Sequence, residues 1–86
     1  MNILAVESLW WDRKRLEKLV RKAMPEGATL HVFEKTDEAL AFAQEHPIDV
    51  AFIDLAGMHI PGYFLAKKLL TERRLNIIFT NYEWEH

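Results

Sequence analysis

The chain contains no cysteine. This excludes disulfides, thiolate metal sites and a cysteine nucleophile, and it fits a reducing compartment. Charge of one sign is not in excess: the formal net charge is −2, which gives no case for direct nucleic-acid binding. No apolar stretch is long enough to span a bilayer. The opening "MNILAVES" is too short an apolar run for a secretory leader, has no basic start, and is broken by Glu7. There is no linker, repeat or low-complexity tract, no phosphate-binding glycine loop and no Ser-His-Asp set. These absences predict one domain over residues 1–86, cytoplasmic, without membrane or nucleic-acid contacts, and they leave no independent case for an enzyme.

What is present is an ordinary globular balance, 50% hydrophobic and 28% charged, which argues against disorder. With 86 residues the domain buries a modest share of its surface, so its margin of stability is small. "NILAV" is aliphatic and reads as a buried strand ending at Glu7-Ser8, with Ser8 placed to cap the next helix. In that helix Leu9, Leu16, Leu19, Val20 and Ala23 recur at helical spacing, and Pro25 and Gly27 end it. "TLHVF" is a second strand. Thr36 and Asp37 open a short helix with Ala39, Leu40 and Ala43 on one face, stopped by His46-Pro47. Residues 48–54 form the third strand, and its unbroken "VAFI" predicts a central strand covered on both faces. Pro61 marks the start of a helix carrying Phe64, Leu65, Leu69 and Leu70, and "NIIFT" is a fourth strand. The order β-α-β-α-β-α-β implies right-handed crossovers and a mainly parallel sheet.

In such a sheet, ligands bind outside the carboxyl ends of the strands. The first strand ends in Glu7-Ser8, the second in Phe33-Glu34, the third in Asp54 and the fourth in Thr80-Asn81. Two carboxylates with a hydroxyl or amide suit a hydrated Mg²⁺, and Asp54 then has the chemistry of a carboxylate nucleophile that accepts a phosphoryl group. From residue type alone, an acid such as Asp54 is more often a capping or turn carboxylate at a strand end than a nucleophile, and Glu7 is as readily a solvated strand-end acid as a metal ligand.

These residues carry a resemblance that covers the whole chain. "NILAVES", "DVAFIDL", Gly62 followed by "YFLAKKLL", and "NIIFTNY" resemble, in order and spacing, the receiver domains of two-component response regulators, which have a flavodoxin-like fold. The wording is most similar to receivers that precede LytTR-type DNA-binding domains. The resemblance implies that Asp54 is the phosphoacceptor, that Glu7 and Asp54 hold Mg²⁺, and that Thr80 senses the phosphoryl group, or Asn81 if the strand shifts register. It also implies a histidine kinase or another signalling protein as partner. Receivers carry two acids after the first strand; here the second position is Ser8, which removes one negative charge from the metal site. The four strands stop short of the family's fifth strand, its lysine and its last two helices.

Three further features bear on partners. The first helix holds Arg13, Lys14, Arg15, Lys18, Arg21 and Lys22, a solvated basic face or a docking surface for an acidic partner. Adjacent Trp10 and Trp11 cannot both enter one narrow buried stripe, so at least one is exposed or packs at an interface. His59 reads as a solvated loop residue, and His31 and His46 as structural. Without a fifth strand, the fourth is an open edge and one sheet face is bare, which predicts a homodimer to which Tyr82 and Trp84 contribute. Three functions follow: a receiver-like domain of a phosphorelay, a phosphorylation-independent dimerisation or interaction module, or an excised fragment without activity of its own.

Overall fold

The structure is a computed structural model that describes residues 1–54, 62–72 and 75–80. Its elements run β1 (Asn2–Val6), α1 (Trp10–Ala23), β2 (Thr29–Phe33), α2 (Thr36–Glu45), β3 (Val50–Asp54), α3 (Gly62–Glu72) and β4 (Asn76–Thr80). Pro61, His59, Asn81, Tyr82 and Trp84 lie outside the described residues.

The sheet has the order β2-β1-β3-β4, and every neighbouring pair is parallel. Side chains alternate across it. Ile3 and Ala5 pack with Val50, Phe52 and Val20 in the layer of α1. Leu4, Val6, Ala51 and Ile53 pack with Ala39, Ala43, Leu65, Ala66 and Leu69 in the layer of α2 and α3. The aliphatic run of β1 is thus explained: Ile3 through Val6 are all buried because the strand is covered on both faces. Leu4 is fully buried in the larger core, so Leu4→Ala is expected to cost about 2–5 kcal/mol in a urea titration. In a domain of this size that is a large part of the total.

β3 begins at Val50, two residues later than the apolar pattern suggests. Ile48 is buried in the core but outside the ladder. Asp49 ties the amino-terminal edge of the sheet together: its carboxylate accepts from the Asn2 N–H at 2.7 Å, its N–H donates to Asn2 at 2.9 Å, and its carbonyl accepts from Asn76 at 3.1 Å. Gly27 stands at φ 84° in the turn that links α1 to β2, where the Ala28 N–H bonds the Pro25 carbonyl. A positive φ at the third position of such a turn favours glycine.

Helix faces depart from the simple stripe. In α1 only Val20 is buried, while Leu9 and Leu19 are exposed, as are both tryptophans. In α3, Leu65, Ala66 and Leu69 face the core, and Phe64 and Leu70 face outward. Apart from Arg13, the basic residues of α1 form a solvated face laced by Lys14–Glu17, Arg15–Asp12 and Arg21–Glu17 pairs; exposed pairs of this kind add little stability. His46 stacks on Phe42 at 4.0 Å and its Nδ1 lies 3.0 Å from the Phe42 carbonyl, while His31 lies 4.5 Å from the same ring, consistent with structural roles. No helix among the described residues is long and apolar enough to cross a membrane.

Candidate functional site

The chain leaves β1 toward β2 on one side and reaches β3 on the other, so the strand order reverses between β1 and β3. At that point the ends of adjacent parallel strands diverge and leave a crevice. The register fills it with the expected residues. Val6 pairs with Ile53, so Glu7 and Asp54 are the next positions on their strands, and Asp54 pairs with Thr80. Glu7, Asp54 and Thr80 therefore form one row across the carboxyl edge, with 46 and 25 intervening residues in sequence bridged only by the crossovers.

Both carboxyl groups are withdrawn from water, each residue being 2% exposed. Burial is the main cause that pushes the Glu7 carboxyl up from 4.5 to about 7; a hydrogen bond to Asp54 and its negative charge add to it, and weaker bonds from the backbone N–H groups of Leu9 and Ser8 oppose it. When Glu7 is protonated, its carboxyl is the donor and the Asp54 carboxylate the acceptor of the bond between them. The Leu9 N–H lies 3.4 Å from Glu7 Oε2.

Ser8 does not cap α1. The cap position is Leu9, which makes no side-chain cap bond. The Ser8 hydroxyl instead points to Asp54 Oδ2 at 3.4 Å. The reason is topological: the residue after Glu7 sits beside the end of β3, and a buried carboxylate there competes with the helix terminus for the one hydroxyl proton. The position that carries a second acid in receivers here supplies a donor.

Arg13 is the residue that sequence reasoning misplaced. Its Nη1 turns back from α1 and donates to the Glu7 carbonyl at 3.0 Å and the Ser8 carbonyl at 3.2 Å. The guanidinium braces the turn that presents the acidic pair. No spacing in the sequence signals this, because the same arginine fits the basic face of a solvated helix. Arg13→Ala is expected to lower stability by about 1–3 kcal/mol, since a charged donor leaves two carbonyls behind. Paired urea titrations of the variant and of Arg15→Ala, whose side chain is exposed, check this.

The Thr80 hydroxyl oxygen is buried and has no hydrogen-bond partner among the described residues. It lines a cavity of about 230 Å³ with Glu7, Asp12, Arg15, Leu16 and Leu19. An orphaned buried hydroxyl beside two carboxylates is poised to donate to an incoming acceptor. Among the described residues no group of three or more His, Cys, Asp or Glu is arranged to hold a metal. The acidic pair with the hydroxyls of Ser8 and Thr80 is an oxygen-only set, which matches a hydrated Mg²⁺ that keeps several waters rather than a fully enclosed ion.

No family model matches the sequence, and no curated protein matches it. Solved structures do. The signal receiver domain of a modulated diguanylate cyclase from Desulfovibrio desulfuricans G20 superposes with a TM-score of 0.77 at 25% identity, over 92% of this chain and 62% of that one. The chemotaxis protein CheY4 of Vibrio cholerae superposes with a TM-score of 0.70 at 24% identity, over 83% of this chain and 57% of that one. The chain thus spans 62% and 57% of these two neighbours' lengths. The narrower likeness to receivers of LytTR-type regulators finds no support in them. With a parallel sheet in the order β2-β1-β3-β4 and helices alternating between its strands, this chain has the flavodoxin-like fold of signal receiver domains.

Proposed function

We propose that the chain is a receiver-like signalling domain in which Asp54 accepts a phosphoryl group and Thr80 responds to it. The observation that carries this reading is the single row of Glu7, Asp54 and Thr80 at the carboxyl edge, two buried acids beside a buried hydroxyl without a partner among the described residues. An Asp54 carboxylate oxygen attacks the phosphorus of a donor, the bond from phosphorus to the donor breaks, and an acyl phosphate forms on Asp54. The Thr80 hydroxyl then donates to a phosphoryl oxygen. Glu7 and Asp54 are the residues that would hold Mg²⁺; when bound, the ion supplies positive charge against the phosphoryl oxygens. Ser8 leaves this site with one acid fewer than the receiver pattern, so affinity for the ion is modest. Phosphorylation here is a state change rather than turnover, so the domain is not an enzyme in this reading. Its partner is a histidine kinase or another signalling protein, docked on the exposed basic face of α1 beside Trp10 and Trp11.

A second reading is a phosphorylation-independent interaction module. The observation favouring it is the run of exposed large apolar side chains at Leu9, Trp10 and Trp11 on the rim of the site, an arrangement common at protein interfaces. Mass measurement after exposure to a small phosphodonor separates the two: a phosphoryl adduct on Asp54 supports the first, and its absence leaves the second.

A further inference from the structure

The tryptophans and most of the cations of α1 lie on one face. Trp10, Arg21, Lys14, Lys18, Trp11 and Lys22 follow one another around the helix within an arc of about 120°, at about 100° per residue. Leu16 and Val20, which pack toward the sheet, lie on the opposite side. All six residues of the arc are exposed, Trp10 by 51% and Trp11 by 75%. The arc holds four of the chain's 11 basic residues and none of its 13 acids. A net charge of −2 thus conceals a cationic face. Glu17 pairs with Lys14 and Arg21 from the edge of the arc, while Lys18 and Lys22 make no ion pair among the described residues.

The exposure of this face is set by how α1 sits on the sheet. The helix contacts β1 and β2. Its side toward Thr80 of β4 carries Leu16 and Leu19. The arc is turned away from that side, so its exposure does not depend on β4 or on anything that follows it.

The two indoles meet edge to face, with ring centroids 4.6 Å apart and planes at 86°. The Lys14 ammonium stands 5.9 Å from the Trp10 ring. They form a blunt aromatic end on a face otherwise lined with flexible cations. A nucleic-acid strand needs a groove with stacking platforms, and this face is convex with its indoles at right angles. Two tryptophans suit a protein partner, but lysine is depleted at protein interfaces. At a bilayer surface both kinds of side chain find their place. Indoles settle at headgroup level. Lysine stems lie along the apolar boundary, with the ammonium groups among the phosphates.

We propose that the outer face of α1 seats the chain on an anionic phospholipid surface. Trp10 and Trp11 enter the headgroup layer, and Lys14, Lys18, Arg21 and Lys22 meet lipid phosphates. The helix lies along the surface and does not cross it. The expectation of no membrane contact rests on whole-chain charge and the lack of a spanning segment, and neither describes a single helix face. The inference does not rest on phosphotransfer. A lipid surface and a signalling partner on this face exclude one another.

The test uses the full chain carrying Trp84→Phe, so that of its three tryptophans only Trp10 and Trp11 emit. Mixed with vesicles of equal parts phosphatidylglycerol and phosphatidylcholine at low salt, it is expected to co-sediment with them and to shift its emission to the blue. Vesicles of phosphatidylcholine alone are expected to do neither, and added salt is expected to release the protein. Each cation near such a surface contributes a factor of about five in partition, so Lys18→Gln with Lys22→Gln is expected to weaken it about 25-fold. The far-UV circular dichroism spectrum is expected to stay unchanged, since both positions are exposed. Lys67→Gln with Lys68→Gln makes the same change of net charge at exposed positions of α3 and is expected to leave partition within about twofold. Trp10→Ala with Trp11→Ala is expected to weaken partition while its salt dependence persists. Failure to co-sediment with the mixed vesicles overturns the proposal, as does co-sedimentation without the blue shift. Equal binding to phosphatidylcholine alone overturns it too. So does an unaltered partition of the tryptophan variant. An equal loss from the α3 pair assigns the effect to net charge rather than to this face, which also overturns it. Tighter binding of a single-stranded oligonucleotide than of the vesicles at the same salt overturns it in favour of nucleic acid.

Discussion

Incubated with Mg²⁺ and a small-molecule phosphodonor, the wild-type protein is expected to gain one phosphoryl group by intact mass, and Asp54→Asn none. The expected effect is complete because the substitution removes the nucleophilic oxygen while keeping the size of the side chain. It is a fair control for folding. Asp54 is buried against Glu7, and replacing one of two adjacent acids by a neutral amide relieves like-charge repulsion. The variant is therefore expected to be at least as stable as the wild type near neutral pH. Thr80→Ala is expected to keep the adduct, since its hydroxyl acts after the bond forms. Glu7→Gln is expected to slow adduct formation by weakening metal affinity. Absence of an adduct on the wild type would remove Asp54 as phosphoacceptor and leave the interaction module. An adduct that persists on Asp54→Asn would move the chemistry to another residue.

Stability is expected to fall by about 2–3 kcal/mol between pH 5 and pH 8 in the metal-free protein, and this slope is expected to disappear in Glu7→Gln. Burial, followed by the bond to Asp54 and its charge, raises the Glu7 carboxyl from 4.5 to about 7. A group raised in this way binds its proton more tightly in the folded state. The native state therefore holds more protons than the unfolded one between these two values, and stability is lost as pH rises through them and is flat above. At about 1.4 kcal/mol for each pH unit, the full span is worth about 3 kcal/mol. Urea midpoints at the two pH values, compared between wild type and variant, isolate this group from other carboxylates. Mg²⁺ supplies the complementary measurement. Glu7 and Asp54, both ionised at pH 8, would hold a dication that a proton on Glu7 opposes, so Mg²⁺ is expected to raise the midpoint at pH 8 and to have little effect at pH 5. Equal midpoints at both pH values would mean that Glu7 is not held against Asp54.

Much of the fold is legible from residue order. The four aliphatic strands and three intervening helices follow from apolar runs and helical spacing, and β1, β2 and β4 have the expected bounds. Where the reading slips, a tertiary partner overrides a local preference. Ile48 is apolar and buried in the core yet lies outside β3, which starts at Val50. Ser8 has the chemistry of a helix cap but turns to Asp54. Leu19 lies at helical spacing yet is exposed, because α1 touches the sheet mainly through Val20.

The sequence by itself determined the alternation of strand and helix, the burial of β1 and β3, and the presence of an acid or a hydroxyl at three strand ends. It did so because these properties depend on neighbours within one element. Only the tertiary structure decided that β1 lies between β2 and β3, that Glu7 and Asp54 meet as a buried pair, that Arg13 braces their turn, and that the Thr80 hydroxyl is buried without a partner among the described residues. Each of these depends on groups far apart in the chain being brought to one edge and withdrawn from water. The apolar spacing that builds the strands carries no record of which polar atoms then meet.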